Sequence, residues 1–550
     1  MFLGISTASW LVIGIIGVGL CLVVKLFETS PVPNDIPRAL NRKSLLGRAV
    51  ERFVGVNPIS FIREGYQKYS KHQKPFVLPS VAEGDEVLLP KDLAKHVLFS
   101  KENEYSFKAY ITDFFQLKYT SWPLAFANKY DNYVKLISKD LTETLKTDTV
   151  ARSLAEEARS CLKDLWGEDT DKWVEINLYC AMEKMASRMI NVLAIGPGHS
   201  DDETLLNAMA HCSDAIVFGA SIIKAFPSFL HPVIGPIVGM VNRYFEVIFH
   251  KRMKPIIESK IKEQQNQTDP EAQEETLKSM VSTLPTVLGF VLTFPQDSLL
   301  DLLIRAGLRS KWPMEATSMW LSYRVFMINF PGVHTTAVSA TSVLIDILSD
   351  PVDENLVNHL RAEVESISGG SSGDWTAEDL GRAALLDSAV KESLRLNGIN
   401  AASPTRKVVA PNGVTLANGL FLPCGTKVGI PQYALHRDEE FYPEADRYNP
   451  YRFYTENASE SERRQSSMTT PSDEYVVFGH GRRQCPGRFI FAHIFKVFIA
   501  EMLLNYDIQP ILVRPKIHIE PRKAMSGCLR VAAISESSRA EFGKMIRVRD

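Results

Sequence analysis

The chain has 550 residues, 45% of them hydrophobic and 23% charged, and its 62 Lys and Arg against 64 Asp and Glu leave a formal charge of −2. That balance excludes a disordered or collagen-like chain, and the lack of a dominant basic block argues against nucleic acid as the main partner. Seven scattered cysteines without a C-x-x-C pair support neither a disulfide framework nor a zinc finger, and fit a reducing compartment.

Met1 to Val24 carries no charged side chain, and twelve of positions 3–24 are Leu, Ile or Val. As a helix those positions span about 33 Å, enough for a hydrocarbon core of roughly 30 Å. The run is longer than a signal-peptide core, lacks a basic start, and ends in a poor cleavage site at Phe27-Glu28-Thr29-Ser30. Residues 1–25 are therefore expected to be a single membrane anchor. Lys25, Arg38, Arg42, Lys43 and Arg48 all follow it, which places the body in the cytosol. Pro31, Pro33 and Pro37 mark residues 26–50 as a stiff linker, and 51–550 as the body.

From about residue 45 to 400 the pattern is mainly helical, as in 132–165, 205–222, 240–265 and 376–397. Glu263–Pro270, Ser368–Gly373 and Thr455–Asp473 read as exposed connections. The long apolar helix around Met319–Leu348 contains Pro331-Gly332-Val333-His334-Thr335-Thr336. Pro331 removes a backbone donor there and is expected to bend the helix. His334 can relay protons near neutral pH, or be a polar core residue bonded to its own helix. Glu392 and Arg395, three apart on a helix, can pair. Residues 406–430 break the helical pattern into short strands around Asn412-Gly413, Asn418-Gly419 and Cys424-Gly425.

The most informative stretch is Phe478-Gly479-His480-Gly481-Arg482-Arg483-Gln484-Cys485-Pro486-Gly487, followed by an apolar run to Met502. Its glycines allow a tight turn, and Pro486 suits the start of a helix. Cys485 would then sit at a helix N-terminus, where free amides and the dipole favour thiolate. The alternative is an inert buried cysteine.

This loop resembles the F-x-x-G-x-R-x-C-x-G signature of the cytochrome P-450 heme-thiolate monooxygenases at Phe478, Gly481, Arg483, Cys485 and Gly487. Five fixed positions recur by chance in only about two of ten thousand chains of this length. Glu392-Ser393-Leu394-Arg395 is similar to the family's E-x-x-R helix, and Pro450-Tyr451-Arg452-Phe453 to its P-x-R-F element. The resemblance implies a mainly α fold with a small β region behind the N-terminal transmembrane helix. It implies heme b (iron-protoporphyrin IX) with Cys485 as the axial ligand of iron, and Arg483 and Arg406 on the heme propionates. It implies a structural charge network of Glu392, Arg395 and Arg452, and oxygen activation at Gly332, His334 and Thr335. Pro331 and His334 depart from the family's small residue and acid. The early Trp-x-x-x-Arg motif is not evident, since Trp122 precedes Phe126; Lys129, Lys135 or Lys139 would supply that charge.

By the same resemblance, electrons come from NADPH through a separate reductase, since no flavin or nicotinamide fingerprint is present. Arg482, Arg488 and Lys496 are the basic residues expected to attract it. The substrate expected is apolar, terpenoid-like or another secondary metabolite, oxidised with dioxygen at the endoplasmic reticulum membrane. Its contacts are expected from 100–125, 215–235, Ile328 and Asn400–Ser403. Alternatives sharing the cofactor are an isomerase, dehydratase or ring-forming enzyme, and a heme sensor or carrier without turnover.

Overall fold

The computed structural model describes residues 19, 23–25, 27–28, 30–38, 58–80, 83–121, 124–125, 136–169, 173–174, 176–268, 298–349, 355–368, 375–509, 511 and 546–548. Most of the expected anchor, Trp122, Phe126, Lys129 and Lys135 lie outside these residues. Lys139 is described, and its side chain is exposed.

The longer helices are α1 (Pro58–Lys68), α2 (Lys91–Phe99), α3 (Asp148–Trp166), α4 (Leu178–Ala194), α5 (Glu203–Ala225) and α6 (His231–Thr268). They continue with α7 (Leu299–Leu308), α8 (Ser318–Leu348), α9 (Leu356–Ser368), α10 (Ala384–Leu396) and α11 (Arg488–Asn505). Nearly every residue of α8 from Val333 onward is buried, because α4, α5, α6, α9, α10 and α11 all pack around it. Where a central helix is apolar on every side, its burial comes from neighbours rather than from one amphipathic stripe. Among the described residues, α5 is the one helix long and apolar enough to cross a membrane. Leu205, Met209, Ile216 and Ile223 are nevertheless buried, and α5 is a core helix.

The β region is a five-stranded sheet with β1 (Phe76–Leu78), β2 (Glu86–Leu88), β3 (Tyr105–Ser106), β4 (Arg406–Val408) and β7 (Lys427–Gly429). Two short ladders accompany it, β5 (Val414–Thr415) with β6 (Phe421–Leu422), and β8 (Tyr506–Ile508) with β9 (Ile546–Val548). The five-stranded order is β1-β2-β7-β4-β3, with β2 and β7 parallel and the other pairs antiparallel. Its register sets Arg406 against Val428 and Glu86 against Lys427. The sheet has its own apolar cluster, from Phe61 and Phe76 to Val408 and Val428. Val32 and Ile36 belong to that cluster, and Arg38 pairs with Asp85 at 2.8 Å. Residues 31–38, expected as linker, thus lie against the body.

Local bonding sets the ends of several elements differently from the sequence pattern. The expected helix over 376–397 is two helices, because Ala383 leaves helical geometry between Ala377–Arg382 and α10. Glu363 of α9 supplies the N-terminal cap of α10, accepting from the amides of Leu385 (2.7 Å) and Leu386 (2.9 Å). The expected 132–165 helix is likewise interrupted, with α3 starting only after the extended Thr147. Within the expected loop 455–473, Glu460–Ser466 is helical because Ser459 and Glu462 close a capping box. The stretch after Lys262 carries Glu263, Gln264, Gln265 and Gln267, good helix formers, and α6 runs through it to Thr268.

Replacing Glu363 with Ala should leave two helix-end amides without an acceptor. We expect a loss of about 1–2 kcal/mol, read as a lowered urea midpoint; an unchanged midpoint would show that water caps α10 equally well.

Candidate active site

Cys485 ends a turn that the backbone itself fixes. Gly479 and Gly481 take φ of +75° and +77°, and the Cys485 amide donates to the Phe478 carbonyl at 2.7 Å. A Cβ on Gly481 would come within 2.4 Å of the Leu98 carbonyl oxygen, so only glycine lets this turn sit on α2. Phe478 packs on Phe491 with ring centroids 5.8 Å apart, anchoring the loop to α11. The α11 helix then starts at Arg488, just past the sulfur.

Burial pushes the Cys485 thiol up, while the amides of Gly487 and Arg488 and the Arg488 charge pull it down. The helix end alone therefore does not make this thiol a thiolate; a coordinating metal ion would. Cys485 nonetheless has accessible surface.

Beside the loop, β4 brings Arg406 to Arg483. Arg483 Nε donates to Glu102 at 2.9 Å. Arg406 is buried, with Nη1 donating to the Thr405 carbonyl at 2.9 Å and Nη2 finding no partner. Burial lowers the Arg406 guanidinium to about 10, with Glu102 opposing and Arg483 adding to the fall. Two guanidiniums around one carboxylate, one with an orphaned donor, are suited to a further carboxylate.

On α8, accessible surface follows one line. Tyr323, Met327, Phe330 and Thr335 are half-buried, and Pro331 is exposed, although both neighbouring faces of the helix are packed. Phe330 meets Phe115 at 5.0 Å between ring centroids. Ile328, an expected substrate contact, is buried beside this line rather than on it. The Thr335 hydroxyl donates to the Pro331 carbonyl at 2.6 Å. Gly332 lets α4 approach, since a Cβ there would lie 3.0 Å from Ile190 Cδ1. His334 is not on that line. Its ring points to α4 and α5, with Nδ1 3.2 Å from Glu183 and Nε2 3.9 Å from Asp214. The reading of His334 as bonded to its own helix is replaced by contacts across three helices.

Glu392 and Arg395 have no accessible side-chain surface and share two bonds of 2.7 Å. Arg452 Nε adds a third to Glu392 at 2.9 Å, and Arg395 also donates to the carbonyls of His436 and Ala445. His436, missed by sequence reasoning, links this network to the cysteine loop. Its Nδ1 faces the Arg395 carbonyl at 3.1 Å, and its Nε2 accepts from the Val476 amide at 3.1 Å. A ring that must donate at one nitrogen and accept at the other is neutral. Of the expected docking residues, Arg482 is exposed. Arg488 turns inward to the Thr469 and Cys485 carbonyls, and Lys496 is buried against Asp387 at 2.5 Å. Lys496 therefore cannot meet a partner protein.

Residues 41–530 match the family model for cytochrome P450. The chain belongs to the cytochrome P450 family. It is 26% identical over 520 residues to cytochrome P450 monooxygenase polB of Polytolypa hystricis, covering 92% of this chain and 94% of that one. It is 28% identical over 459 residues to cytochrome P450 monooxygenase htyF of Aspergillus rugulosus, covering 81% of this chain but 64% of that longer relative. Among solved structures, a cytochrome P450 (CYP102L1) superposes with a TM-score of 0.57 at 15% identity, over 88% of this chain and 94% of that one. The retinoic acid bound cyanobacterial CYP120A1 gives 0.57 at 18%, over 84% and 93%. The P450 is thus an oxidoreductase whose family cofactor is heme b. The residues present fit that group: a cysteine with accessible surface at the head of α11, and an orphaned buried guanidinium nitrogen for a carboxylate.

Burial lowers the His436 imidazole to about 3. Because the unfolded ring titrates near 6.5, its contribution is complete above about pH 6.5 and is lost as pH falls toward 3, on the order of 4–5 kcal/mol. Between pH 7 and 4.5 the wild-type P450 should lose more stability than His436→Gln, which keeps one donor and one acceptor. Parallel losses in thermal midpoint would show that His436 carries no such linkage.

Proposed function

We propose that this P450 is a membrane-anchored monooxygenase inserting one atom of dioxygen into an apolar, terpenoid-like or other secondary-metabolite substrate. The observation that carries the reading is an accessible Cys485, held at the head of α11 in the loop that also carries Arg483, which with Arg406 surrounds Glu102. Bound there, heme b supplies an iron that activates dioxygen with electrons from NADPH, aided by the electron density of a thiolate ligand.

The chain's own residues do the rest. Cys485 would ligate the iron, with the amides of Gly487 and Arg488 steadying the sulfur's charge. Arg406 and Arg483 would hold the propionates, which guanidinium donors suit. Gly481 and Phe478 fix the loop, while Glu392, Arg395 and Arg452 hold the scaffold behind it. The half-buried line from Met327 to Thr335 walls the substrate space with apolar groups and one hydroxyl. Thr335, released from the Pro331 carbonyl, can pass a proton from that hydroxyl, and general acid help of this kind is typically worth about 100- to 10,000-fold.

Cys485→Ser should abolish the long-wavelength absorption of the reduced, carbon-monoxide-bound protein. Thr335→Ala should keep that band while diverting electrons to hydrogen peroxide. An unchanged band in Cys485→Ser would overturn the ligand assignment, and unchanged coupling in Thr335→Ala would overturn the role of α8.

Two surfaces support the partners. Phe229, Val233, Ile237, Met240, Val241 and Tyr244 are exposed, and those on α6 recur every three or four residues on one face. Just before them, the Ser228 amide donates to Glu28 at 3.0 Å, and Glu28 pairs with Lys25 at 2.7 Å. The end of the expected anchor (1–25) therefore meets the start of an apolar face, which supports one lipid-facing side and a catalytic body in the cytosol. The reductase reading moves from Lys496 to the groove holding Arg482, Lys95 and Lys101 around exposed Phe99. Protease added to sealed microsomes should digest the body, and electron transfer should slow as salt rises from 0.01 to about 0.1 M, where screening falls to about 10 Å. Full protection would reverse the topology, and a rate indifferent to salt would remove the charged docking surface.

A further inference from the structure

Between the helix Ala377–Arg382, the start of α10 and the helix Glu460–Ser466 lies a cavity of about 510 Å³ that the oxidation proposed above does not use. Arg382, Arg463, Arg464 and Lys496 line it, together with Ser466 and three acids. Of the acids, Asp387 takes Lys496, Glu460 takes Arg464, and Glu378 stands exposed. Arg382 reaches Asp379 at 3.5 Å with half of its side chain exposed. Arg463 is half-buried and makes no ion pair among the described residues. Two guanidiniums on opposite walls are thus weakly engaged or not engaged at all.

The wall that carries Ser466 is loosely held. Glu460–Ser466 has seven residues and buries none of them, and so short a helix gains little from its own hydrogen bonds. Beyond its capping box, the Ser466 carbonyl accepts from Lys391 Nζ at 2.8 Å, and the Arg464 carbonyl from Thr470 Oγ1 at 2.7 Å. The next buried side chain is Met468, whose amide donates to Asp387 at 2.6 Å. A segment without buried apolar contacts opens locally at low cost. Residues 460–467 can therefore leave the body as extended chain while Met468 stays in place.

The order of residues in that segment is Arg463-Arg464-Gln465-Ser466. Guanidiniums three and two residues before a hydroxyl are the charge pattern that the acidic subsites of basophilic serine/threonine kinases select. The Ser466 hydroxyl is lightly engaged, donating to the Arg463 carbonyl at 3.3 Å. Ser467 is its competitor, with the arginines four and three residues before it. The Ser467 oxygen, however, accepts from the Thr469 amide at 3.3 Å and meets the Thr469 hydroxyl at 3.1 Å.

We propose that Ser466 is the acceptor of a basophilic serine/threonine kinase, and that its phosphate is received in this cavity by Arg382 and Arg463. The γ-phosphoryl group of ATP passes to Ser466 Oγ. An O–P bond forms there, the bond to the β-phosphate oxygen breaks with its electrons leaving on ADP, and the hydroxyl proton goes to the kinase's own base. The helix C-terminus at Ser466 opposes the new charge, and the two guanidiniums offset it with charge-assisted bonds. Docked in this way, the phosphate ties residues 455–473 to the body. The tie falls three residues before Thr469, whose carbonyl accepts from Arg488 Nε at 3.1 Å, and Arg488 also bonds the Cys485 carbonyl.

The test is to incubate the full-length holoprotein with the catalytic subunit of protein kinase A and ATP, and to locate phosphate by peptide mass spectrometry. Phosphate is expected on Ser466, and none on this segment in Ser466→Ala. The double variant Arg463→Gln, Arg464→Gln should slow incorporation at least about tenfold, as loss of the selected charges requires. Phosphate on Ser467 instead, none on the folded protein, or a rate the double variant does not change would overturn the acceptor assignment. Docking is read separately, from the rate at which a phosphatase removes the group. Removal should be about tenfold slower from the protein than from a phosphorylated peptide of residues 458–470, and Arg382→Gln should abolish most of that protection. Arg382 lies outside the kinase pattern and is exposed, so this variant leaves both folding and incorporation intact. Equal removal rates from protein and peptide, or protection that Arg382→Gln leaves unchanged, would overturn the docking of the phosphate in the cavity.

Discussion

Glu392 carries a carboxylate with no accessible surface, and a charge so placed must be met on every side. Arg395 and Arg452 meet it, and the consequences spread along the chain. Arg395 has donors to spare, which it gives to the carbonyls of His436 and Ala445. Arg452 gives its own to the Pro443 carbonyl at 2.7 Å. One buried charge thus ties α10 to the irregular segment from 436 to 452, where no regular ladder could hold the backbone. His436 extends the tie to Val476, two residues before the cysteine loop begins. The position of Cys485 relative to α8 is then set from behind, by charge, as well as by the apolar packing of Phe478 on Phe491. Removing one partner would strand a charge, at roughly 3–5 kcal/mol.

What was legible in the sequence is what is local. The turn around Cys485 depends on glycines, a proline and a following apolar run, all within about twenty-five residues, and each announces itself by type. The E-x-x-R pair is one helical turn. The strands over 406–430 were legible for the same reason, since Asn-Gly and Cys-Gly turns punctuate them, whereas β1, β2 and β3 lie in the stretch whose pattern reads as helical. What stayed hidden depends on distant partners. Lys496 looks like any surface lysine until Asp387 of α10 is placed beside it. Glu363 caps a helix that starts more than twenty residues later, and no local pattern marks it. His436 is a lone histidine whose two bonds run to residues about forty positions away on either side. The Ser459–Glu462 capping box was local and could have been read; the polar composition of its surroundings masked it.

His334 combines both cases. Its departure from the family pattern was visible, but its meaning was not, because the residues that interpret it stand on α4 and α5. A histidine where the family pattern has an acid could be neutral or charged, a donor or an acceptor. The neighbours that meet it are the carboxylates of Glu183 and Asp214, which the sequence alone could not place. The same holds for Pro331 and Gly332. Pro331 leaves the Met327 carbonyl without its helical donor, and Gly332 makes room for Ile190 of α4. The first loosens the helix on the accessible line, and the second tightens it against α4. Thr335, one turn on, donates to the carbonyl of Pro331 and so sits on the loosened side.

The proposed membrane face follows from the same concern with where apolar surface can go. A soluble body has little reason to leave Val233, Ile237, Met240, Val241 and Tyr244 in water along one face of α6, since apolar burial is worth about 25 cal/mol per Å². Lipid removes that cost, and Lys25 and Glu28 at the end of the N-terminal apolar run hold the chain at the turn that leads into this face. The opposite face of α6 carries Asn242, Glu246 and Phe249, which are buried, and Phe249 packs on Phe326 of α8. In the proposed arrangement, one helix would face lipid on one side and the core around α8 on the other. An apolar substrate partitions into the bilayer before it meets the protein. Under that proposal an apolar substrate would reach the half-buried line from Met327 to Thr335 from the side of α6, whose Phe249 meets Phe326 of α8.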